Sequence, residues 1–311
     1  MLFKNLLVYR FTQPFTLDQE TLHQQLAAKP FRPCGSQDLA THGWVPPVGA
    51  DDAPLTHSTN GCLMVCLQRQ EKVLPAAVVN EVLTEKVAEI EDREGRRPGK
   101  KERSELKDQI VFELLPRAFS RTGRLYAYID PRAGLLVINS SSHKRAEDLM
   151  SQLREVLGGL PVLPLKTRNP VPATLTHWLL DGTAPLGFSL GGECELKDNR
   201  DETAVIRCKN QDLSSEDIRN HIDGGMFVSK LALSWDGGIE FVVDDKLALK
   251  RLRFGDLIAD KLAEVDADSA VEQFDVDFAI MSGEFATFIP ALLEALGGES
   301  TDEKAPSPSG S

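Results

Sequence analysis

Apolar and polar positions along the chain follow two periods, and the switches between them mark its elements. Residues 3–11 alternate with period two, as a half-buried strand does, while residues 18–28 place Leu22 and Leu26 on one face of a short helix. An unbroken apolar run at 62–67 is consistent with a buried strand. From Leu74 the period turns helical: Val78, Val79, Val82, Leu83, Val87 and Ile90 recur at helical spacing, with Glu and Lys on the other face. Pro75 suits a first helical turn, and Gly95 with Pro98-Gly99 breaks the pattern. A second helix is expected over 101–115, stopping before Pro116. This helical hairpin has too few apolar residues for a central core, so residues 75–123 are expected to project as a charged arm, with Phe119 in a short loop at its exit.

Beyond the arm, residues 124–130 and 135–139 pattern as a hairpin, and 146–157 as a helix ended by Gly158-Gly159. A Pro-rich bridge at 160–172 leads to a second set of elements. Helices are expected at 172–180 and 214–222. Strands are expected near Phe188, at 204–209, and at 226–235 paired with 239–243 across Asp236-Gly237-Gly238. Residues 247–254 alternate Leu with basic residues, 274–281 are assigned to a strand and 284–296 to a helix. The predicted class is α+β: one subdomain from 1–74 and 124–160, the arm at 75–123, a second subdomain at 161–298, and a disordered tail at 299–311.

Composition narrows the class. The five cysteines (Cys34, Cys62, Cys66, Cys194, Cys208) are odd in number and irregularly spaced, which argues against a disulfide framework and for a reducing compartment. The opening residues lack the pattern of a signal peptide, and no stretch approaches the ~20 apolar residues of a membrane span. A soluble, cytosolic protein is expected. The formal charge of −12 is uneven, because residues 255–311 carry −11 of it and leave about −1 for the rest. Between Arg93 and Lys107, seven basic residues face three acidic ones. Any basic surface is therefore a local patch, and an acidic chain does not exclude a nucleic-acid partner.

The sequence proposes no enzyme. Cys62, Cys66 and His57 lack zinc-site spacing, and buried structural thiols are the favoured reading. Asp244, Asp245, Asp275 and Asp277 offer carboxylates for a magnesium-dependent nuclease, but no Lys or His base lies nearby in sequence. Ser140-Ser141-Ser142-His143 is read as a loop and helix cap, and no phosphate loop or dinucleotide fingerprint occurs. No metal or cofactor is expected. What remains is basic residues on separate elements: Arg96, Arg97, Lys100 and Lys101 in the arm, Arg117, Arg121 and Arg124 at its exit, then Lys144-Arg145, Arg207, Lys209, Lys230 and Lys250/Arg251/Arg253. Converging, they would serve phosphates without base readout; otherwise they are scattered surface charge. Phe119, between Arg117 and Arg121, is read either as an interface anchor or as a ring near nucleic-acid backbone.

Several runs appear together in one family. They are Met1-Leu2-Phe3-Lys4-Asn5-Leu6, Cys34-Gly35-Ser36-Gln37-Asp38, Gly43-Trp44-Val45-Pro46-Pro47 and Leu114-Leu115-Pro116-Arg117-Ala118-Phe119-Ser120-Arg121. Gln211-Asp212-Leu213, Asn220-His221-Ile222, Lys230-Leu231-Ala232-Leu233 and Glu294-Ala295-Leu296-Gly297-Gly298-Glu299 follow in order. Over nearly its whole length the chain resembles the bacterial recombination-associated RdgC family. That resemblance implies a non-enzymatic, nucleoid-associated protein that binds double-stranded DNA with little sequence preference and limits RecA-mediated recombination. It also implies a ring-shaped homodimer whose basic hole encircles the duplex. Phe119 matches the family's arm-side interface aromatic, and Lys209 and Gln211 fall in its second interface or channel region. The alternative is a protein-interaction regulator that acts on RecA or a replication protein directly.

Overall fold

In the computed structural model, residues 1–49, 52–201, 203–236, 238–263 and 267–300 are described. Of the disordered tail expected at 299–311, residues 301–311 lie outside them, as does the turn residue Gly237. The first half comprises β1 (Asn5–Phe11), α1 (Gln19–Leu26), β2 (Ala40–Val45), β3 (Thr56–Thr59), β4 (Cys62–Val73), α2 (Ala76–Glu94), α3 (Lys100–Leu114), β5 (Phe119–Asp130), β6 (Leu135–Ile138), α4 (His143–Leu157) and β7 (Val162–Pro164). The second comprises α5 (Val171–Asp181), β8 (Phe188–Asp198), β9 (Val205–Lys209), α6 (Glu216–Asp223), β10 (Met226–Trp235), β11 (Ile239–Asp244), β12 (Leu249–Phe254), α7 (Asp256–Ala263) and α8 (Ala270–Ala295). The mixed helix and strand content agrees with the α+β expectation.

Strands pair in the order β2-β4-β5-β6-β1-β12-β11-β10-β8-β9, with β3 also on β4 and β7 on β1. Strand β1 joins the two halves. Asn5 and Leu6 pair with Lys250 and Leu249 of β12, whereas Leu7 to Arg10 pair with β6. Its alternation buries Leu6 in one core and Leu7 and Tyr9 in the other. The larger core lies under α5, α6 and α8 and includes Trp178; the smaller, around Trp44, lies under α1 and α4.

The structure corrects the expectation of a strand at 274–281. Those residues open the 26-residue helix α8. Phe274, Phe278, Met281, Phe285, Phe288, Leu292 and Leu293 are buried at three-to-four spacing, a pattern that strand alternation cannot satisfy. Phe278 meets Tyr128 of β5 at 5.6 Å between ring centroids, and Phe288 meets Phe241 of β11 at 5.0 Å, so α8 spans both halves. Contrary to expectation, α8 is also long and apolar enough to cross a membrane by length and composition, but its apolar face is packed in this core. The tail prediction changes at its start too. Glu299 holds Arg10 through two hydrogen bonds of 2.6 and 2.8 Å, and Ser300 N–H donates to the Lys166 carbonyl.

A second correction concerns the arm's exit. Phe119 is no loop residue but the first residue of β5, which pairs with β4 over eleven residues each, from Leu63 opposite Ile129 to Val73 opposite Phe119. The inner halves are core strands. The outer halves, beyond Leu67 and Leu125, form a ribbon that carries the helical hairpin; β2 still pairs with β4 there as far as Ala40 opposite Glu71, and only Lys72-Val73 with Phe119-Ser120 are two-stranded. That hairpin has a small core of its own, in which Val79, Leu83 and Val87 of α2 meet Ile110 of α3. Gly95 ends α2 with φ 65°, a left-handed cap that glycine takes without a Cβ penalty. Pro116 sits in a single 3₁₀ turn, Leu115–Arg117, between α3 and β5.

Candidate nucleic-acid interface

The basic residues fall in three places. At the arm tip, the turn between α2 and α3 brings opposite charges together. Arg96 binds Glu102 at 2.7 and 2.9 Å and Glu94 at 2.7 Å, and Arg97 binds Glu91 at 2.9 Å. The hydrogen bond from Arg96 holds the Glu102 carboxyl below its usual range, and those from Arg93 and Arg96 do the same for Glu94. Lys101 approaches Glu105 only to 3.9 Å and is almost fully exposed, while Lys100 and Arg103 have no ion-pair partner among the described residues. The sequence count of seven cations against three acids therefore overstates the free charge at the tip, because Glu91 also reaches it.

The second place is the outer face of the β8–β12 sheet. Cross-strand register sets Arg207 beside Glu195, Glu195 beside Lys230, and Lys230 beside Asp244. Alternating charges across neighbouring strands of an antiparallel sheet attract, so this row is a ladder of ion pairs. Lys230 donates to both Glu195 oxygens at 2.8 Å and Arg207 to Glu195 at 2.8 Å, while Lys250 forms an ion pair with Asp244 at 2.7 Å. Glu195 is almost buried. Burial alone would raise its pKa, but the hydrogen bonds from Lys230, Arg207 and Ser229 outweigh this and bring it to about 2. Lys209 lies 3.7 Å from Glu193, which also binds Arg251 at 2.8 Å. Gln211 is exposed in the turn after β9, next to Asn210, whose φ of 52° starts that turn. Lys209 and Lys230 thus share one cleft with Arg207, Lys250 and Arg251.

The third place is the ribbon. Leu67 and Leu125, Arg69 and Gly123, Glu71 and Arg121, and Val73 and Phe119 are successive cross-strand pairs on one face. That face continues the surface on which α4 packs, so the first turn of α4 brings Lys144 and Arg145 alongside Arg69 and Arg121. Arg69 contributes a charge that sequence reasoning missed, since only the strand register places it there. Arg117 is exposed in the 3₁₀ turn at the head of the ribbon. Arg124 points to the opposite face, where its Nε donates to Gln68 at 2.9 Å. Phe119 is 86% exposed, opposite the half-exposed Val73, and so forms no part of the protomer's core.

The carboxylates considered for metal chemistry do not gather. Asp244 accepts from the N–H groups of Lys246 and Ala248 at 3.0 and 2.8 Å and pairs with Lys250. Asp275 is bound by His57 at 3.0 Å and by Thr59, while Asp277 is bound by the N-terminal amine and by Gln273 at 2.9 Å. Among the described residues, no three His, Cys, Asp or Glu side chains are grouped to hold a metal ion. Burial pushes the Cys62 thiol up to about 11 and those of Cys66 and Cys194 to about 12, as expected for structural rather than reactive cysteines. Ser142 caps α4, its hydroxyl accepting from the Arg145 N–H at 3.4 Å.

Residues 1–299 match the family model described as "Putative exonuclease, RdgC". The chain is 46% identical over 299 residues to a protein of Aeromonas hydrophila named "Recombination-associated protein RdgC", covering 96% of this chain and 99% of that one. Proteins of the same name from Pseudomonas putida and Pseudomonas paraeruginosa are 46% and 48% identical over 300 residues, each match covering 96% of this chain and 98% of the relative.

Proposed function

Since the chain belongs to the RdgC family, a family of recombination-associated proteins, we propose that it binds double-stranded DNA without sequence preference, encircles it as a homodimeric ring and thereby limits RecA-mediated recombination. The observation that carries this reading is the arm. The extended ends of β4 and β5 carry a helical hairpin with a small core of its own, with exposed cations along it and an exposed aromatic, Phe119, at its base. A large exposed ring rimmed by charge suits a contact between copies of the chain, and the cations suit phosphates. In this reading the two arms meet through Phe119, and Arg96, Arg97, Lys100, Lys101, Arg117, Arg121, Lys209, Gln211 and Lys230 face the duplex. The protein is cytoplasmic and nucleoid-associated, has no catalytic activity and needs no cofactor.

Titration of a plain duplex in rising salt tests the reading. Backbone binding weakens with a log–log slope of about −0.9 per neutralised phosphate, and a flat response would reject it. One observation favours a second reading, a regulator that binds RecA directly through the arm: Arg96 and Arg97 are already occupied by acids. Capture of RecA in the absence of DNA would support it. Reproducible cleavage of labelled DNA with magnesium would overturn the non-enzymatic assignment.

A further inference from the structure

The groove between the ribbon and α4 differs in chemistry from the arm tip and the outer sheet face, where ion pairs take up much of the positive charge. Its floor is Leu67 and Leu125, and its walls carry Arg69, Arg121, Lys144 and Arg145 around a space of about 440 Å³. The two acids beside it, Glu71 and Asp148, both go to Arg69, at 3.2 and 3.7 Å. Arg121, Lys144 and Arg145 have no carboxylate partner among the described residues. Gly123, across from Arg69, has open space where a side chain would begin, so the strand backbone itself forms part of the wall.

Two of these cations stand where stability alone would not place them. Lys144 and Arg145 occupy the first turn of α4, which contains no acidic residue. The positive end of a helix disfavours cations there, and although Asp148 lies one turn further along α4, neither Lys144 nor Arg145 makes an ion pair among the described residues. Arg121 and Arg69 stand on twelve-residue strands, and Lys144 and Arg145 on a capped helix, so regular structure sets the spacing of their four backbone positions. Cations at set backbone positions over an apolar floor, three of them without an ion-pair partner among the described residues, suit a chain of regularly spaced anions.

We propose that this groove seats the phosphodiester backbone of duplex DNA, as a contact separate from the arm tip and from the outer sheet face. Arg121, Lys144 and Arg145 neutralise phosphates, and Asp148, through Arg69, moderates the charge beside them. The proposal rests on the DNA-binding reading above. Its test is fluorescence anisotropy of a labelled duplex across a range of NaCl, with the full-length wild type, K144Q/R145Q, R121Q and D148N. The double variant should bind about tenfold more weakly, with its salt slope reduced by about 2, and R121Q should reduce the slope by about 1. D148N, which removes a competing anion, should bind more tightly; that gain distinguishes a phosphate seat from general damage to the fold. The melting temperature of K144Q/R145Q should not fall, since two cations leave the positive end of a helix. Wild-type binding with unchanged slopes in the variants, or weaker binding by D148N, would overturn the groove and leave the DNA reading standing. A wild type that does not bind duplex would overturn both.

Discussion

Replacing Phe119 with serine separates an interface ring from a structural one. Within the protomer the ring is 86% exposed and its cross-strand neighbour is Val73, so truncation opens no cavity. The loss there is a single cross-strand contact of about 0.2–1 kcal/mol, which in a chain of this size lowers the melting temperature by no more than about 4 °C. At a dimer contact the arithmetic differs. An aromatic buries roughly 150–250 Å², worth roughly 4–6 kcal/mol at ~25 cal/mol per Å², of which hot-spot truncations typically show about 2–4 kcal/mol. That corresponds to about 30- to 900-fold in the arm-side equilibrium. A ring closed at two interfaces stays dimeric through the other, so F119S should still bind DNA but open more readily. The assay is the off-rate from linear duplexes with free or blocked ends, alongside a thermal melt. A faster off-rate on free ends with a near-unchanged melt is expected. A fall in melting temperature of about 10 °C with no change in off-rate would refute the reasoning.

The other predictions turn on individual charges and one glycine. R96Q/R97Q/K100Q/K101Q should weaken duplex binding and flatten its salt dependence by less than the four charges removed, because Arg96 and Arg97 are already paired; K100Q/K101Q alone should account for most of the effect in the same titration. The depressed pKa of Glu195, about 2 when folded, contributes stability that is fully present above the ordinary value of about 4.3 and is lost as pH falls towards 2. Urea unfolding between pH 6 and about 2.5 should therefore show a decline, on the order of 3 kcal/mol at most, that E195Q largely lacks; parallel curves would refute the assignment. Gly43→Ala should destabilise the fold by about 1–3 kcal/mol, read as a lower melting temperature, because its Cβ would lie 2.5 Å from the Phe31 backbone. An unchanged melt would show that residues 30–31 can move aside.

Most element types are written in the one-dimensional pattern. The two-residue period of β1, the helical spacing of α2 and α4 and the turn chemistry between β10 and β11 are local properties, set by whether a face is apolar. Gly43 has a cause that the pattern does not show: the segment from Lys29 to Phe31 crosses β2 so closely that no side chain fits at position 43. Pattern failed where pairing or burial on more than one side takes over. Residues 68–73 and 119–123 are polar on both faces, so nothing in their periodicity marks them as strand. Only pairing across strands, of β4 with β5 and with β2, makes them a ribbon. Residues 274–278 alternate Phe-Asp-Val-Asp-Phe, which reads as a strand, whereas the positions α8 buries, Phe274, Phe278 and Met281, follow the helical period that only its packing against both halves reveals.

The candidate site divides along the same line. Composition located the basic residues, and short multi-residue runs located the family, because both are properties of consecutive positions. Which cations are free is a property of distance. Glu195 lies between Arg207 and Lys230 only because β8 lies between β9 and β10, and Arg121 meets Lys144 and Arg145 only because α4 packs on the face that the ribbon continues. A charge–charge interaction falls off within about 10 Å in solution, so partners far apart in sequence count for nothing until the fold brings them together. The sequence therefore determined which charges the molecule carries, and the tertiary structure decided which of them remain available to a partner.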